Sequence, residues 1–298
     1  MIYTLTLNPA VDYVMDIEHL REGEVNRSCR ENIFFGGKGI NVSMILAELK
    51  VPSCALGFIG GFTGRALEEG MRGAGIETDF THLREGMTRI NVKLRGNTIT
   101  EINGAGPAIS EGDMTSLYER LYLLCEGDTL VIAGSVPSSL PRNTYELIME
   151  RLSKKGIRFA VDASGELLTR SLKYRPFVIK PNIHELSEIA GKAFESVEEV
   201  AAFAGELQEM GAVNVLVSMG EMGALLADEF GNVHVQDAFK GRAVNTVGAG
   251  DSMLAGFLAG VGESYSHALL LGTAAGGATA FSEGLATREK IIELMSAQ

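Results

Sequence analysis

Cysteine is scarce and positive charge is in deficit. Cys29, Cys54 and Cys125 are an odd number, far apart and without a CxxC pair, which argues against a disulfide framework or a cysteine zinc site and points to a reducing compartment. Twenty-six lysines and arginines stand against 38 aspartates and glutamates, a formal net charge of −12. Such a chain lacks the basic footprint that nucleic acid or an anionic membrane surface demands. Neither partner is expected, and any phosphate must be held locally. The opening "MIYTLTLNPAVDY" has no basic segment ahead of a long apolar stretch; it predicts a buried first strand rather than a signal peptide, and a cytoplasmic protein. One stretch, 264–282, carries no Asp, Glu, Lys or Arg. Its Gly, Ala, Ser and Thr content, with His267 inside, predicts a tightly packed core helix and not a membrane span.

Two common nucleotide signatures are also missing. Gly39 follows Lys38 where a Walker A loop needs Ser or Thr, and "GAGDSM" has no glycine three residues after Gly250, so neither the P-loop nor the dinucleotide fingerprint applies.

What is present suffices for a large core: 46% of the residues are hydrophobic and 21% charged, with no repeat, low-complexity tract or linker to divide 1–298. The runs "IYTLTL", "CALGFI", "TLVIAG", "IRFAVD", "FVIKP" and "VNVLVS" alternate with helical patterns, which predicts βαβ units around a mostly parallel sheet. Val42, Ile45, Leu46 and Leu49 mark one helix face, and Ser196 with Glu199 predicts a capping box ahead of another. One segment differs. In "TRINVKLRGNTITEING", Ile90, Val92 and Leu94 alternate with Arg89, Asn91, Lys93 and Arg95 before Gly96–Asn97, the pattern of a half-exposed antiparallel hairpin. The mixed character of 12–33 suggests that it joins 88–103 in a small separate sheet able to cover a ligand.

Two glycine clusters each precede a predicted helix. "GGKGIN", 36–41, offers backbone for close approach and the charge of Lys38; Gly248, Ala249 and Gly250 precede Asp251. Glycine turns at helix starts suit phosphate, because unpaired N–H groups and the positive end of the helix dipole face the ligand. Asp251 is then either a helix cap or a base.

"NPAVD" with "GGKGIN" at one end and "NTVGAGDSMLAGF" at the other resemble the signatures of the PfkB, or ribokinase-like, carbohydrate kinases. The likeness continues through "GFIGGFTG", "TEING", "AGSVPSSLP", "KPNIHEL" and "VSMGEMGA" and covers nearly the whole chain. "GEVNR" with "GGKGINVS" is most similar to the branch acting on fructose 1-phosphate, with tagatose-6-phosphate kinases as near neighbours. Ser139 stands where the family often has glycine, and no role is carried onto it.

The resemblance implies a three-layer α/β sandwich with a β-sheet lid, and transfer of the γ-phosphate of ATP, with Mg2+, to the 6-hydroxyl of fructose 1-phosphate. Asp251 becomes the general base, the amides of Ala249 and Gly250 face the γ-phosphate, and Gly248 completes the catalytic turn. The sugar would meet Asp12, Gly37, Lys38, Asn41 and Asn103. Arg89, on the cation-rich hairpin, would grip the phosphate already present, with Arg27, Lys38 and Ser135 in support. Lys180, Ser218, Gly220, Glu221, Gly223 and Gly250 would serve the nucleotide, and Asn182 and Glu185 would influence magnesium through water. A homodimer through the lid is expected. Other acceptors remain open, namely tagatose 6-phosphate, fructose 6-phosphate or a nucleoside. From other classes, a non-catalytic sugar-phosphate sensor keeps these motifs, whereas an NAD-dependent oxidoreductase lacks its fingerprint.

Overall fold

All six apolar runs become strands of one sheet in the computed structural model, which describes residues 1–296. The sheet runs Val233–Gln236, Ala224–Ala227, Asn214–Ser218, Val178–Ile179, Arg158–Asp162, Thr129–Ala133, Ile2–Thr6, Ser53–Ile59 and Glu77–Thr78, with Thr81–His82 also paired to Ser53–Ile59. Every ladder is parallel except those made by Ala224–Ala227. That edge hairpin is absent from the sequence reading because its first strand, "ALLA", is built of helix formers. Asp228 makes the turn instead, accepting hydrogen bonds from the backbone N–H groups of Phe230 and Asn232 at 2.9 and 2.8 Å.

The central strands are apolar on both sides because both sides are covered. Leu130 and Ile132 join one cluster with Leu117, Ile148, Leu186 and Leu207. Val131 and Ala133 join a second with Val42, Leu46, Leu254 and Phe257. Helices Glu111–Leu121, Thr144–Leu152, Ile183–Ala190 and Val197–Glu209 thus cover one face; Lys38–Glu48, Ala249–Gly260 and Tyr265–Ala280 cover the other. This is the expected three-layer sandwich.

The charge-poor stretch forms the buried helix Tyr265–Ala280 against Ala249–Gly260. Small residues are required where they cross, since a Cβ on Gly256 would lie 2.7 Å from Gly272 Cα. No helix of the described residues is long and apolar enough to cross a membrane. The capping box at Ser196 is only half realised. Ser196 Oγ accepts the Glu199 N–H at 3.3 Å, but the Glu199 carboxylate takes the N–H of Glu195, one residue earlier.

A separate four-stranded sheet runs Arg30–Gly36, Ala10–Asp16, Arg89–Arg95, Ile99–Asn103. The segment 17–29 joins its first two strands without regular structure. Register places Phe34, Asp12, Asn91 and Asn103 in one row and Ile33, Tyr13, Val92 and Ile102 in the next, so the two rows face opposite ways. Thr6, Asp162 and Ser218 end parallel strands of the main sheet at one rim, where α/β proteins bind ligands.

Candidate active site

A cleft of about 1080 Å³ lies at that rim, walled by Asp12 and Arg89 of the small sheet, Gly37, Lys38 and Asn41, Ser135, Asp162, Lys180, and Gly248, Gly250 and Asp251. Gly248 is the N-cap of Ala249–Gly260 and makes no side-chain cap bond. Its φ of 82° is a left-handed conformation that favours glycine. Asp251, third in the helix, is not the cap. Its carboxylate accepts a hydrogen bond from Asn41 Nδ2 at 2.7 Å and is 5% exposed. Burial, reinforced by the negative charge of Asp162, pushes the Asp251 carboxyl up to about 6, against the Asn41 hydrogen bond and the Lys38 and Lys180 ammonium groups. The group is therefore ionised at neutral pH and basic enough to take a proton. The amide of Ala249 is directed elsewhere, donating to the Thr246 carbonyl at 3.2 Å. Ala249 does not line the cleft, whereas Gly248 and Gly250 do.

Beneath Asp251 sits a group that the sequence reading missed. Asp162 is fully buried. Its Oδ1 accepts from Lys38 Nζ at 2.8 Å and its Oδ2 lies 3.2 Å from Lys180 Nζ. Burial alone would raise its carboxyl, but the two ammonium groups hold it below the ordinary range. Burial likewise works against the Lys38 charge, and Asp162 overrides it to hold the ammonium above its usual value. The signal was present in "RFAVD": an acid ending an otherwise apolar central strand lands on the ligand rim.

On the sugar side, Asp12 Oδ1 accepts from Asn91 Nδ2 at 2.8 Å, and Oδ2 lies 3.4 Å from Lys93 Nζ. Neither partner was foreseen. Both share the face of the small sheet that carries Asp12. Arg89 reaches across to two carbonyls, donating from Nε to Asn8 at 3.2 Å and from Nη1 to Gly104 at 3.3 Å. Two expected residues are not brought in. Arg27 is exposed in the 17–29 segment, and Asn103 is exposed at the end of the edge strand; neither lines the cleft. Arg27 has no strand to aim it, and Asn103 stands one strand farther out than Asn91.

Asn182 and Glu185 form a full capping box for Ile183–Ala190. Asn182 Oδ1 accepts the N–H groups of His184 and Glu185 at 2.9 Å each, and Glu185 Oε2 accepts the Asn182 N–H at 2.9 Å. The plain helix-start role is thus real, and both residues also line the cleft with Glu185 Oε1 outside the box. Among the described residues no three His, Cys, Asp or Glu side chains cluster as a complete metal cage. Ser218 lines the cleft beside Lys180, while Gly220, Glu221 and Gly223 occupy the tight turn after it, outside the cleft wall. That turn leads into the edge hairpin of Ala224–Ala227 and Val233–Gln236.

The chain is 48% identical to 1-phosphofructokinase of Bacillus subtilis (strain 168) over 99% of its length and 97% of the relative's. It is 38% identical to D-tagatose-1-phosphate kinase of Bacillus licheniformis, covering 99% of this chain and 98% of that one. Phosphofructokinase-2 from Escherichia coli, solved in complex with substrates and products, superposes with a TM-score of 0.92 at 28% identity, over 99% and 98% of the two chains. The model of the pfkB family of carbohydrate kinases matches residues 5–291. A glycine-led helix start, a buried carboxylate at its third position and a two-sheet cleft at the strand rim agree with that match: the chain belongs to the pfkB family of carbohydrate kinases.

Proposed function

We propose that the protein transfers the γ-phosphate of ATP to the 6-hydroxyl of fructose 1-phosphate, giving fructose 1,6-bisphosphate and ADP. The observation that carries this reading is Asp251: a buried carboxylate, pushed up to about 6, set at a helix start beside two ammonium groups. Relatives named 1-phosphofructokinase support the acceptor. Asp251 takes the proton of the 6-hydroxyl as that oxygen bonds to the γ-phosphorus and the bond to the ADP oxygen breaks. Asn41 holds the carboxylate in place. Lys38, Lys180 and the amide of Gly250 stabilise charge on the transferring group. Asp12, steadied by Asn91 and Lys93, binds sugar hydroxyls, and Arg89 with Ser135 grips the 1-phosphate.

The small sheet acts as a lid over the sugar. Its outer face exposes Ile33 and Ile102, each more than half accessible, on the row with Tyr13 and Val92, and a second copy of the chain covers it in a homodimer. Ser218 and the turn holding Gly220, Glu221 and Gly223 receive the nucleotide. The reaction belongs to the cytoplasm, where ATP and phosphorylated sugars are retained.

Mg2+ fits the donor set, since it keeps most of its waters and needs one carboxylate plus phosphate oxygens, and Glu185 lines the cleft with one carboxylate oxygen outside the cap bond. Bound there, it neutralises phosphate charge. Glu185→Gln is expected to raise the magnesium concentration for half-maximal rate roughly tenfold, with the melting temperature nearly unchanged because the amide oxygen still accepts the cap bond. An unaltered magnesium titration would leave Glu185 a cap only.

Tagatose 1-phosphate is the second acceptor to consider, because a relative at 38% identity carries that activity in its name; it replaces tagatose 6-phosphate as the main rival. Equal amounts of ADP and fructose 1,6-bisphosphate from purified protein test the reading. Binding of both substrates without turnover would make the chain a sensor.

A further inference from the structure

Lys38 opens the helix Lys38–Glu48 and Lys180 follows the strand Val178–Ile179, yet both converge on Asp162. As a stabilising device this arrangement is poor. A carboxylate with no exposure loses its hydration, and an ion pair so buried often does no better than an apolar replacement. Asp162 Oδ2 is buried and lacks an aligned hydrogen bond although Lys180 Nζ is 3.2 Å away. Lys180 is also held where a cation is disfavoured. Its Nζ lies 3.0 Å from where a Cβ on Gly250 would be, at the positive end of Ala249–Gly260. The two ammonium groups balance the Asp162 and Asp251 carboxylates, and together with the helix start they line the cleft where a phosphoryl group would bring further negative charge.

Resting on the kinase reading above, we propose that Asp162 is a positioning residue for phosphoryl transfer, fixing the Lys38 and Lys180 ammonium groups at the start of the Ala249–Gly260 helix, where they face the charge developing on the transferred group. Asp162 acts through the two lysines and takes no proton. The hydroxyl proton passes to Asp251, the new oxygen–phosphorus bond forms, and ADP leaves with the electron pair of the broken bond. The charged groups facing Asp251 are Asp162, Lys38 and Lys180. Removing the Asp162 charge therefore makes Asp251 easier to ionise.

The test begins with turnover of fructose 1-phosphate by the wild-type protein; its absence would end the functional reading and not this one. With that activity in hand, Asp162→Asn is expected to lower kcat roughly 10²-fold while both KM values stay within about threefold. Its acid limb should move to lower pH, which a merely structural defect would not cause. In a double-mutant cycle, Asp162→Asn adds little to the loss from Lys180→Met, because the carboxylate then has one fewer group to place. A kcat within about twofold of wild type, or losses that multiply, would overturn the proposal. Should Asp162→Asn fail to fold, Lys38→Met and Lys180→Met decide the matter: each is expected to lower kcat at least about tenfold, and unchanged kcat in both leaves Asp162 nothing to position.

Discussion

Asp251→Asn leaves the fold and ligand affinity near wild type and lowers kcat by roughly 10²–10⁴-fold, the usual worth of general acid–base catalysis. The geometry makes the separation clean. Gly248, not Asp251, caps the helix, and the Asn41 amide donates to Asp251 Oδ2, a bond that an asparagine oxygen can still accept. The substitution removes basicity and little else. A pH dependence accompanies it. With the carboxyl pushed up to about 6, the protonated and inactive form gains as pH falls, so kcat/KM declines about tenfold per unit below that value and is flat above it. A sugar phosphate also titrates near pH 6, so the variant separates the sources: a limb due to Asp251 vanishes in Asp251→Asn, and a limb due to substrate persists. Wild-type turnover in the variant, measured beside its melting temperature and its calorimetric affinity for ATP, would show that the carboxylate is not the base.

Arg89→Ala is expected to raise KM for the phosphosugar roughly 10–100-fold and to leave KM for ATP within about twofold, since a hydrogen bond to a charged group is worth about 1.5–3 kcal/mol. Arg89 is aimed before any ligand arrives. The Asn8 and Gly104 carbonyls fix its Nε and Nη1, so little side-chain freedom remains to be lost on binding. Those two bonds also tie the start of strand Arg89–Arg95 to the segment at Asn8 and to the turn at Gly104, so the melting temperature falls modestly. Arg89→Lys retains the charge but not the planar fork and should recover only part of the affinity. Steady-state kinetics with each substrate varied in turn provides the check. Equal increases in both KM values would assign Arg89 to the scaffold.

The fold was legible where burial on both faces leaves a continuous apolar run, as in "TLVIAG" and "VNVLVS", and where charge alternates strictly, as in the hairpin from Arg89. The edge strand Ala224–Ala227 was not, because pairing to Asn214–Ser218 overrides the helix preference of Ala and Leu. Within the site, glycine clusters and a following carboxylate pointed to Asp251, since their chemistry is local in sequence. Asp162, and the pairing of Asn91 and Lys93 with Asp12, are not legible there for the opposite reason. Each is an ordinary polar residue until the sheets bring it beside a partner far along the chain: Asp162 beside Lys38, Asn91 and Lys93 beside Asp12. Arg27 and Asn103 show the converse, residues of suitable type in motifs of the right kind that the backbone leaves outside the cleft.

The acceptor is the central claim, and kcat/KM with saturating ATP for fructose 1-phosphate, tagatose 1-phosphate, fructose 6-phosphate and tagatose 6-phosphate, measured side by side on the purified protein, tests it most directly. Fructose 1-phosphate is expected to lead each 6-phosphate by about 10²-fold or more, because a phosphate gripped by Arg89 at the wrong end of the sugar shifts the hydroxyl away from Asp251. Tagatose 1-phosphate, which differs at one hydroxyl, should trail by roughly tenfold. A larger kcat/KM for any of the other three sugars would contradict the account.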